Sequence, residues 1–178
     1  GNTTASNNTS VGYLALNANT TGDSNVAVGA NALDANTTGA GIVAIGMGAL
    51  SANTTASFNN AVGYNALTNN TTATKNNAFG SYALDACTTG ERNQAMGNNA
   101  LGALTTGIRN VAIGNDSMVS CVSGNRNVAI GEQTLYNYTG SDAVAVGNKA
   151  LVSNTTGEYN VAVGSNALLS NDSGTYNV

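Results

Sequence analysis

Four of the five basic side chains recur at a constant interval along the sequence and could together form one row of positive charge. They are Lys75, Arg92, Arg109 and Arg126. Because arginine suits planar anionic acceptors, such a row would bind an anionic glycan, a phosphate-bearing surface polymer or a row of carboxylates on a neighbouring chain. The alternative is a solvated row whose mutual repulsion discourages edge aggregation, with Glu91 and Glu132 as loose counter-charges.

A second recurring element is an asparagine followed by two threonines, which creates N-x-[ST] acceptor sequences for N-linked glycans. In register these asparagines are Asn2, Asn19, Asn36, Asn53, Asn70, Asn154 and Asn171, and Asn137 is interpreted as a copy shifted by a deletion between Leu135 and Asn137. Further matches fall at Asn7, Asn8, Asn69 and Asn115. The asparagines in register are either glycosylated along one edge or stacked into a ladder of hydrogen bonds.

The two cysteines replace asparagine at this same position of the pattern, in two copies that are separated by one other copy. If each copy forms one coil, Cys87 and Cys121 lie two coils apart, or about 9.6 Å at the spacing of adjacent strands. This separation exceeds the limit of about 7 Å between the Cα atoms of a disulfide. We therefore expect free or intermolecular thiols.

Residues that could carry catalysis are missing or far apart. The chain has no histidine, which removes the usual general base and the commonest metal ligand. Carboxylates that share a repeat position, such as Asp34 and Asp85, stand three repeats apart, so no close acid/base pair forms. We predict no enzyme, no cofactor and no metal site, and a carbohydrate-active solenoid enzyme is the weakest alternative.

The composition disfavours two further classes of protein. Only 8% of the 178 residues are charged and the net charge is -4, which argues against nucleic acid as a partner. No apolar run approaches the roughly 18 residues of a membrane span, so no span is expected in this segment.

All of these positions follow one internal repeat of about 17 residues, N-V-A-V-G-x-N-A-L-x-x-N-T-T-G-x-x. An invariant glycine marks each copy, and these glycines are equally spaced except for one interval that is shorter by one residue. They are Gly12, Gly29, Gly46, Gly63, Gly80, Gly97, Gly114, Gly131, Gly147 and Gly164. Glycine at this position predicts a turn with positive φ or a close approach of two backbones. About ten repeats fill residues 1–178 without a linker, so we predict a single domain, a segment of a longer repetitive array.

Each repeat is too short for a helix pair, and its apolar residues alternate with the period of a strand. We predict an all-β fold, a parallel β-solenoid with one repeat per coil and coils stacked at about 4.8 Å. Ala27 and Val28 are adjacent and must face opposite ways. The alanine side predicts a thin interior, and the valine side predicts a lateral apolar surface that needs a partner. The alternative is a flattened coil that buries both.

Residues 127–131 (N-V-A-I-G) and 160–168 (N-V-A-V-G-S-N-A-L) resemble the head repeats of trimeric autotransporter adhesins. They are also similar to repeat arrays in bacterial and phage tail-fibre-domain proteins. The resemblance covers nearly the whole chain and is specific for the V-A-[IV]-G core. It implies a left-handed parallel β-roll, usually trimeric, within an extended extracellular fibre.

Together these patterns predict a structural component of an extracellular fibre, cell-surface appendage or virion fibre. We expect it to self-associate as a trimer or filament and to adhere, with surface glycans as candidate ligands. One alternative is an ice-binding solenoid whose threonine pairs at residues 20–21, 37–38, 54–55 and 71–72 form a lattice-matching face. Another is a monomeric glycan-binding module.

Overall fold

The computed structural model describes residues 4–178, and its regular structure is one parallel β-sheet wound as a solenoid. Ten strands of three residues follow the same order along the chain and across the sheet. They are β1 (Thr9–Val11), β2 (Val26–Val28), β3 (Val43–Ile45), β4 (Asn60–Val62), β5 (Asn77–Phe79), β6 (Gln94–Met96), β7 (Val111–Ile113), β8 (Val128–Ile130), β9 (Val144–Val146) and β10 (Val161–Val163). The described residues contain no helix. The predicted all-β parallel solenoid is confirmed, and its left hand stays a prediction.

Neighbouring strands pair residues that stand one repeat apart, which confirms one repeat per coil. Val26 in β2 pairs with Val43 in β3, and Val128 in β8 pairs with Val144 in β9 across the one shortened repeat. Hydrogen bonds between coils continue past the strands, as from the Leu33 N–H to the Ala49 carbonyl (3.0 Å). Because glycine, asparagine and alanine are weak strand formers, the strands depend on this stacking of each coil on the next.

The shortened coil has lost its residue at a different point from the one predicted. The Tyr138 N–H donates to the Leu135 carbonyl at 3.2 Å, and the other coils use the same three-residue spacing after the leucine. The Gly140 carbonyl accepts a hydrogen bond from Asn127 Nδ2 in the preceding coil, 13 residues away. The equivalent bond of the coil before, from Asn110 Nδ2 to the Gly124 carbonyl, spans 14 residues. The missing residue therefore lies between Thr139 and Gly140, in a turn that most other coils build from two hydroxyl residues. Tyr138, and not Asn137, occupies the asparagine position.

The central residue of each strand faces the interior, and its two neighbours face outwards. Ala27 is fully buried, Val28 is half-buried and Ile45, at the equivalent position of the next strand, is 38% exposed. The predicted thin interior and lateral apolar surface are therefore confirmed. The flattened coil that buries both sides is wrong, because the outer side is uncovered within a single chain.

A position occupied mainly by leucine completes the core, and every described residue at this position has a left-handed backbone. Leu33, Leu50 and Leu67 are fully buried, with φ of 54°, 52° and 51°. A left-handed conformation costs about 1–2 kcal/mol for such a residue. Burying a leucine side chain contributes about 1.5–3 kcal/mol, so burial outweighs the strain.

The invariant glycines combine both features that the sequence predicts for them. Gly29 has a φ of +134°, and a β-carbon there would lie 2.6 Å from the carbonyl carbon of Gly46 in the next coil. The same contact recurs along the solenoid up to Gly147. Gly164 also has positive φ (+125°), but its nearest contact would be the Ala167 β-carbon at 4.0 Å. At the invariant glycines from Gly12 to Gly147, a side chain would strain the backbone and push two coils apart.

Candidate interaction surfaces

The outer face of the sheet is an uncovered apolar strip that follows the whole solenoid. We define it by the first and third residues of strands β1 to β10. The third residues are all apolar, and several are well exposed, including Val163 (71%), Val11 (57%) and Met96 (52%). Neither position carries a charged residue in any of the ten strands. An apolar strip of this length is unusual on a monomer.

Three neighbouring strands interrupt this strip with amide side chains, which we call the amide ladder. Asn60 Nδ2 donates to Asn77 Oδ1, and Asn77 Nδ2 donates to Gln94 Oε1, both at 2.6 Å. In the third position of β5 and β6, Phe79 and Met96 replace valine or isoleucine. A groove of about 350 Å³ lies over β5, β6 and β7 between the two outer positions.

The four predicted basic residues lie in one exposed row, which we call the basic row. They share a left-handed backbone, with φ between 56° and 64°. Arg126 makes a two-pronged ion pair with Asp142, in which Nε meets Oδ1 and Nη2 meets Oδ2, each at 2.7 Å. This pair lowers the pKa of Asp142 and raises the pKa of Arg126. Within residues 4–178, Lys75, Arg92 and Arg109 make no ion pair.

The two glutamates expected as counter-charges do not pair with the basic row. Glu91 Oε1 accepts a hydrogen bond from Thr74 Oγ1 at 3.2 Å. Glu132 Oε2 accepts from Asn148 Nδ2 at 3.4 Å. Three neighbouring cations therefore remain available to an anion from outside the chain.

The in-register N-x-[ST] asparagines lie in the interior rather than along an exposed edge. The fully buried members are Asn19, Asn36, Asn53, Asn70 and Asn154. Asn36 Nδ2 donates to Asn19 Oδ1 at 2.9 Å and to the Gly39 carbonyl at 3.0 Å. Asn171 is half-buried, and Asn2 lies outside the described residues. The folded chain uses the buried amides in a ladder of hydrogen bonds, which leaves no space for a glycan on them.

Several N-x-[ST] asparagines outside this position are exposed. Asn137 lies one residue before Tyr138, which occupies the buried asparagine position of its coil. Asn137 is exposed, and its Nδ2 donates a hydrogen bond to the Val152 carbonyl at 3.1 Å. Asn7, Asn69 and Asn115 are also exposed. These residues are the ones that the folded chain presents to solvent.

Four consecutive coils replace the buried asparagine with Cys87, Leu104, Cys121 and Tyr138, all fully buried. Both cysteines are free, as the spacing of one repeat per coil predicts. Burial raises the pKa of each thiol to about 11. The Tyr138 hydroxyl donates to the Ser141 carbonyl at 2.7 Å. These four replacements indicate, from the sequence alone, that the asparagine position is buried. The glycosylation hypothesis leaves that indication out of account.

The two threonines of a pair occupy different environments. Thr37 is half-buried, and its Oγ1 donates to the Thr54 carbonyl at 3.0 Å, whereas Thr38 is exposed. The second position forms an exposed row of hydroxyl residues from Thr21 to Ser173, in bends and not in strands, which the shortened coil interrupts after Ser123. An ice-binding face would therefore use one hydroxyl column, and this alternative stays a prediction.

Among residues 4–178, no group of three or more His, Cys, Asp or Glu side chains could hold a metal ion. The same part of the chain contains no helix that is long and apolar enough to cross a bilayer. Comparison with protein-family models, curated proteins and solved structures finds no match to this chain. Function is therefore inferred from the surfaces described above.

Proposed function

We propose that this chain is a structural segment of an extracellular fibre or surface appendage, and that it self-associates through the outer face. The observation that supports this function is the uncharged outer face of β1 to β10, in which the third position of every strand is apolar. Removing such surface from water gains about 25 cal/mol per Å². A trimer or filament of these rods agrees with the resemblance to adhesin head repeats.

The outer face has about the smallest area that a specific contact between two chains needs. Ten strands at about 4.8 Å span roughly 45 Å, and a width of about 12 Å gives roughly 500 Å² on each copy. A pair of copies would then bury roughly 1,000 Å², which reaches the lower range of specific interfaces. The strip repeats with the period of the coils, and a second copy of this chain presents the same period.

Aspartate on the outer face tests self-association. The variant Ile45→Asp/Ile113→Asp changes two outer-face residues that are 38% and 37% exposed, so the fold should tolerate it. Sedimentation is expected to show an oligomer for the wild type and a monomer for the variant, because an unpaired carboxylate opposes burial. The matched control, Thr38→Asp/Thr106→Asp, adds the same charge to the exposed hydroxyl row and should associate like the wild type.

Two outcomes of that experiment would overturn self-association. One is a wild-type chain that stays monomeric at high concentration, which would favour the monomeric glycan-binding module. The other is an Ile45→Asp/Ile113→Asp variant that associates normally while circular dichroism shows an intact fold.

The basic row adds a second part to the proposal, which is adhesion to anionic glycans. Lys75, Arg92 and Arg109 have no ionic partner within the described chain and follow one another at one-coil intervals. A linear polyanion can meet all three at once, so individually weak contacts combine into useful avidity.

Retention on an immobilised sulfated glycan tests the basic row. Arg92→Gln is expected to elute at lower salt than the wild type, since it removes a charge from the middle of the row. Lys149→Gln is the matched control, because Lys149 is the basic residue that lies outside the row. Equal elution of the two variants would overturn a role for the row in adhesion.

A further inference from the structure

A binding strip made of identical repeats does not define one register. If every coil of the outer face were the same, two copies could slide along each other in steps of about 4.8 Å. Each step would remove only the contacts of one end coil. A face of ten equivalent strands would therefore populate several registers, unless a break in the repeat favours one of them.

The outer face carries such a break, and both of its positions change in the same coils. The amide ladder occupies the first position of β4, β5 and β6, while Phe79 and Met96 occupy the third position of β5 and β6. The first position is valine in β2, β3 and β7 to β10. We infer that this break fixes the axial register in which a second copy of this chain lies on the outer face. The inference rests on the self-association proposed above.

The amide ladder supplies the chemical part of this selectivity. A side-chain amide offers two N–H donors and two acceptor lone pairs. Within the ladder, Asn77 uses one of each, Asn60 uses one N–H, and Gln94 uses one lone pair. In a single chain water can satisfy the remaining groups, but beneath a second copy only the partner's amides can. A shift of one coil brings an amide against valine, and the unpaired polar group disfavours that register.

The large side chains supply the steric part. Phe79 and Met96 are both exposed, and together with Ile113 they border the groove of about 350 Å³. When the breaks of two copies coincide, a large side chain of one copy can enter the groove of the other. In a register shifted by one coil, valine or isoleucine replaces a large side chain over one of the two grooves, which loses packing contacts there. In coiled coils, a single buried asparagine specifies the register by its polarity.

Cross-linking between single cysteines measures the register directly. In a Cys87→Ala/Cys121→Ala background, one chain carries Val28→Cys. A second, tagged chain carries one cysteine at the third position of one strand, and this position is scanned from β1 to β10. With the native outer face, Val28→Cys is expected to cross-link to one strand of the partner.

The matched variant makes the outer face uniform by replacing its exceptions with residues found at the same positions of other strands. Its substitutions are Asn60→Val, Asn77→Val, Gln94→Val, Phe79→Ile and Met96→Ile. The share of the main cross-link is expected to fall and cross-links to the adjacent strands to appear, because a one-coil slip of the uniform face loses only the contacts of one end coil. The control replaces three exposed asparagines away from the outer face, as Asn17→Val/Asn69→Val/Asn137→Val, and should keep the single cross-link.

Sedimentation of the same samples separates this inference from the function on which it rests. One cross-link for the native face and several for the uniform face would support the inference. Association with several cross-links on the native face, or with one on the uniform face, would overturn the register inference and leave self-association in place. A native chain that does not associate would overturn both.

Discussion

Asn70 Oδ1 is buried without a hydrogen-bond partner because the next coil presents Cys87 where an asparagine would donate to it. Up to Asn70, the buried asparagines form a continuous series of hydrogen bonds. Asn53 Nδ2 donates to Asn36 Oδ1 at 3.0 Å, and Asn70 Nδ2 donates to Asn53 Oδ1 at 2.9 Å. Cys87 Sγ instead donates to the Gly90 carbonyl at 3.3 Å. The series of hydrogen bonds between buried asparagines therefore ends at Asn70, whose Oδ1 is left unpaired.

Cys87→Asn is expected to change the free energy of unfolding by less than about 1 kcal/mol, because it gives Asn70 Oδ1 a donor but leaves its own Oδ1 buried against Leu104. The free energy of unfolding, measured by urea titration with circular dichroism, checks this. Cys121→Asn is the control, since its neighbours at this position are Leu104 and Tyr138, which offer no amide. It is expected to cost about 1–3 kcal/mol, because neither neighbouring coil pairs with its amide, and equal effects of the two substitutions would contradict the explanation.

Gly97→Ala and Gly164→Ala separate backbone strain from the close approach of coils. Both glycines have positive φ, but only at Gly97 would the new β-carbon meet the next coil, 2.6 Å from the carbonyl carbon of Gly114. Gly164→Ala is expected to cost about 1–3 kcal/mol from strain alone. Gly97→Ala is expected to cost more than about 4 kcal/mol or to prevent folding. Thermal unfolding compares the two, and equal losses would mean that strain dominates at both.

The buried thiols predict a loss of stability in alkali. Below the ordinary thiol pKa of about 8.5, the folded and unfolded chains are both protonated, so the thiols contribute no pH dependence. Burial raises the pKa of Cys87 and Cys121 to about 11. As the pH rises from about 9 to 11, the unfolded thiols ionise first, and stability falls by up to about 2 kcal/mol for each thiol.

Urea midpoints at pH 7 and pH 10.5 measure this loss. The Cys87→Ala/Cys121→Ala variant keeps all the other groups that titrate in alkali. It should therefore lose less stability than the wild type between pH 7 and pH 10.5. If the variant and the wild type lose the same amount, the thiols are not the cause.

Glycan mapping provides a test of the buried asparagines. In a secretory host that adds N-linked glycans, folded product is expected to carry them at Asn7, Asn69, Asn115 or Asn137, which are exposed acceptors. The in-register members such as Asn36 should be unmodified, because a glycan there would open the interior. Mass spectrometry of glycopeptides checks this, and folded protein glycosylated at Asn36 would contradict the structure.

The strand part of each coil is predictable from the sequence because strand residues alternate strictly between two faces. The inward direction of Ala27 and the outward direction of Val28 follow from that alternation. The pairing of strands one repeat apart follows from the constant spacing of the glycines, and a side chain at Gly29 would separate the coils. The strand directions and the strand pairing can therefore be predicted without knowing the conformations of the turns.

The turns are not predictable in the same way, because stacking imposes their conformations. Leu33 and Arg92 both have a left-handed backbone, with φ of 54° and 60°, which neither residue favours on its own. Asn36 belongs to a pattern that is typical of exposed acceptors, yet the turn directs its amide inwards. Only the replacements at equivalent positions, such as Leu104, indicate that direction before the structure is known.

The hydrogen bonds between coils lie along the axis of the solenoid, as between the Leu33 N–H and the Ala49 carbonyl. A tensile load applied to the two ends would therefore peel the rod open from an end, one coil after another, instead of shearing many bonds together. Each released coil frees one repeat of the chain, which extends to about 55–60 Å in place of the former 4.8 Å or so. Such a rod would lengthen in equal steps and damp a sudden pull before it broke.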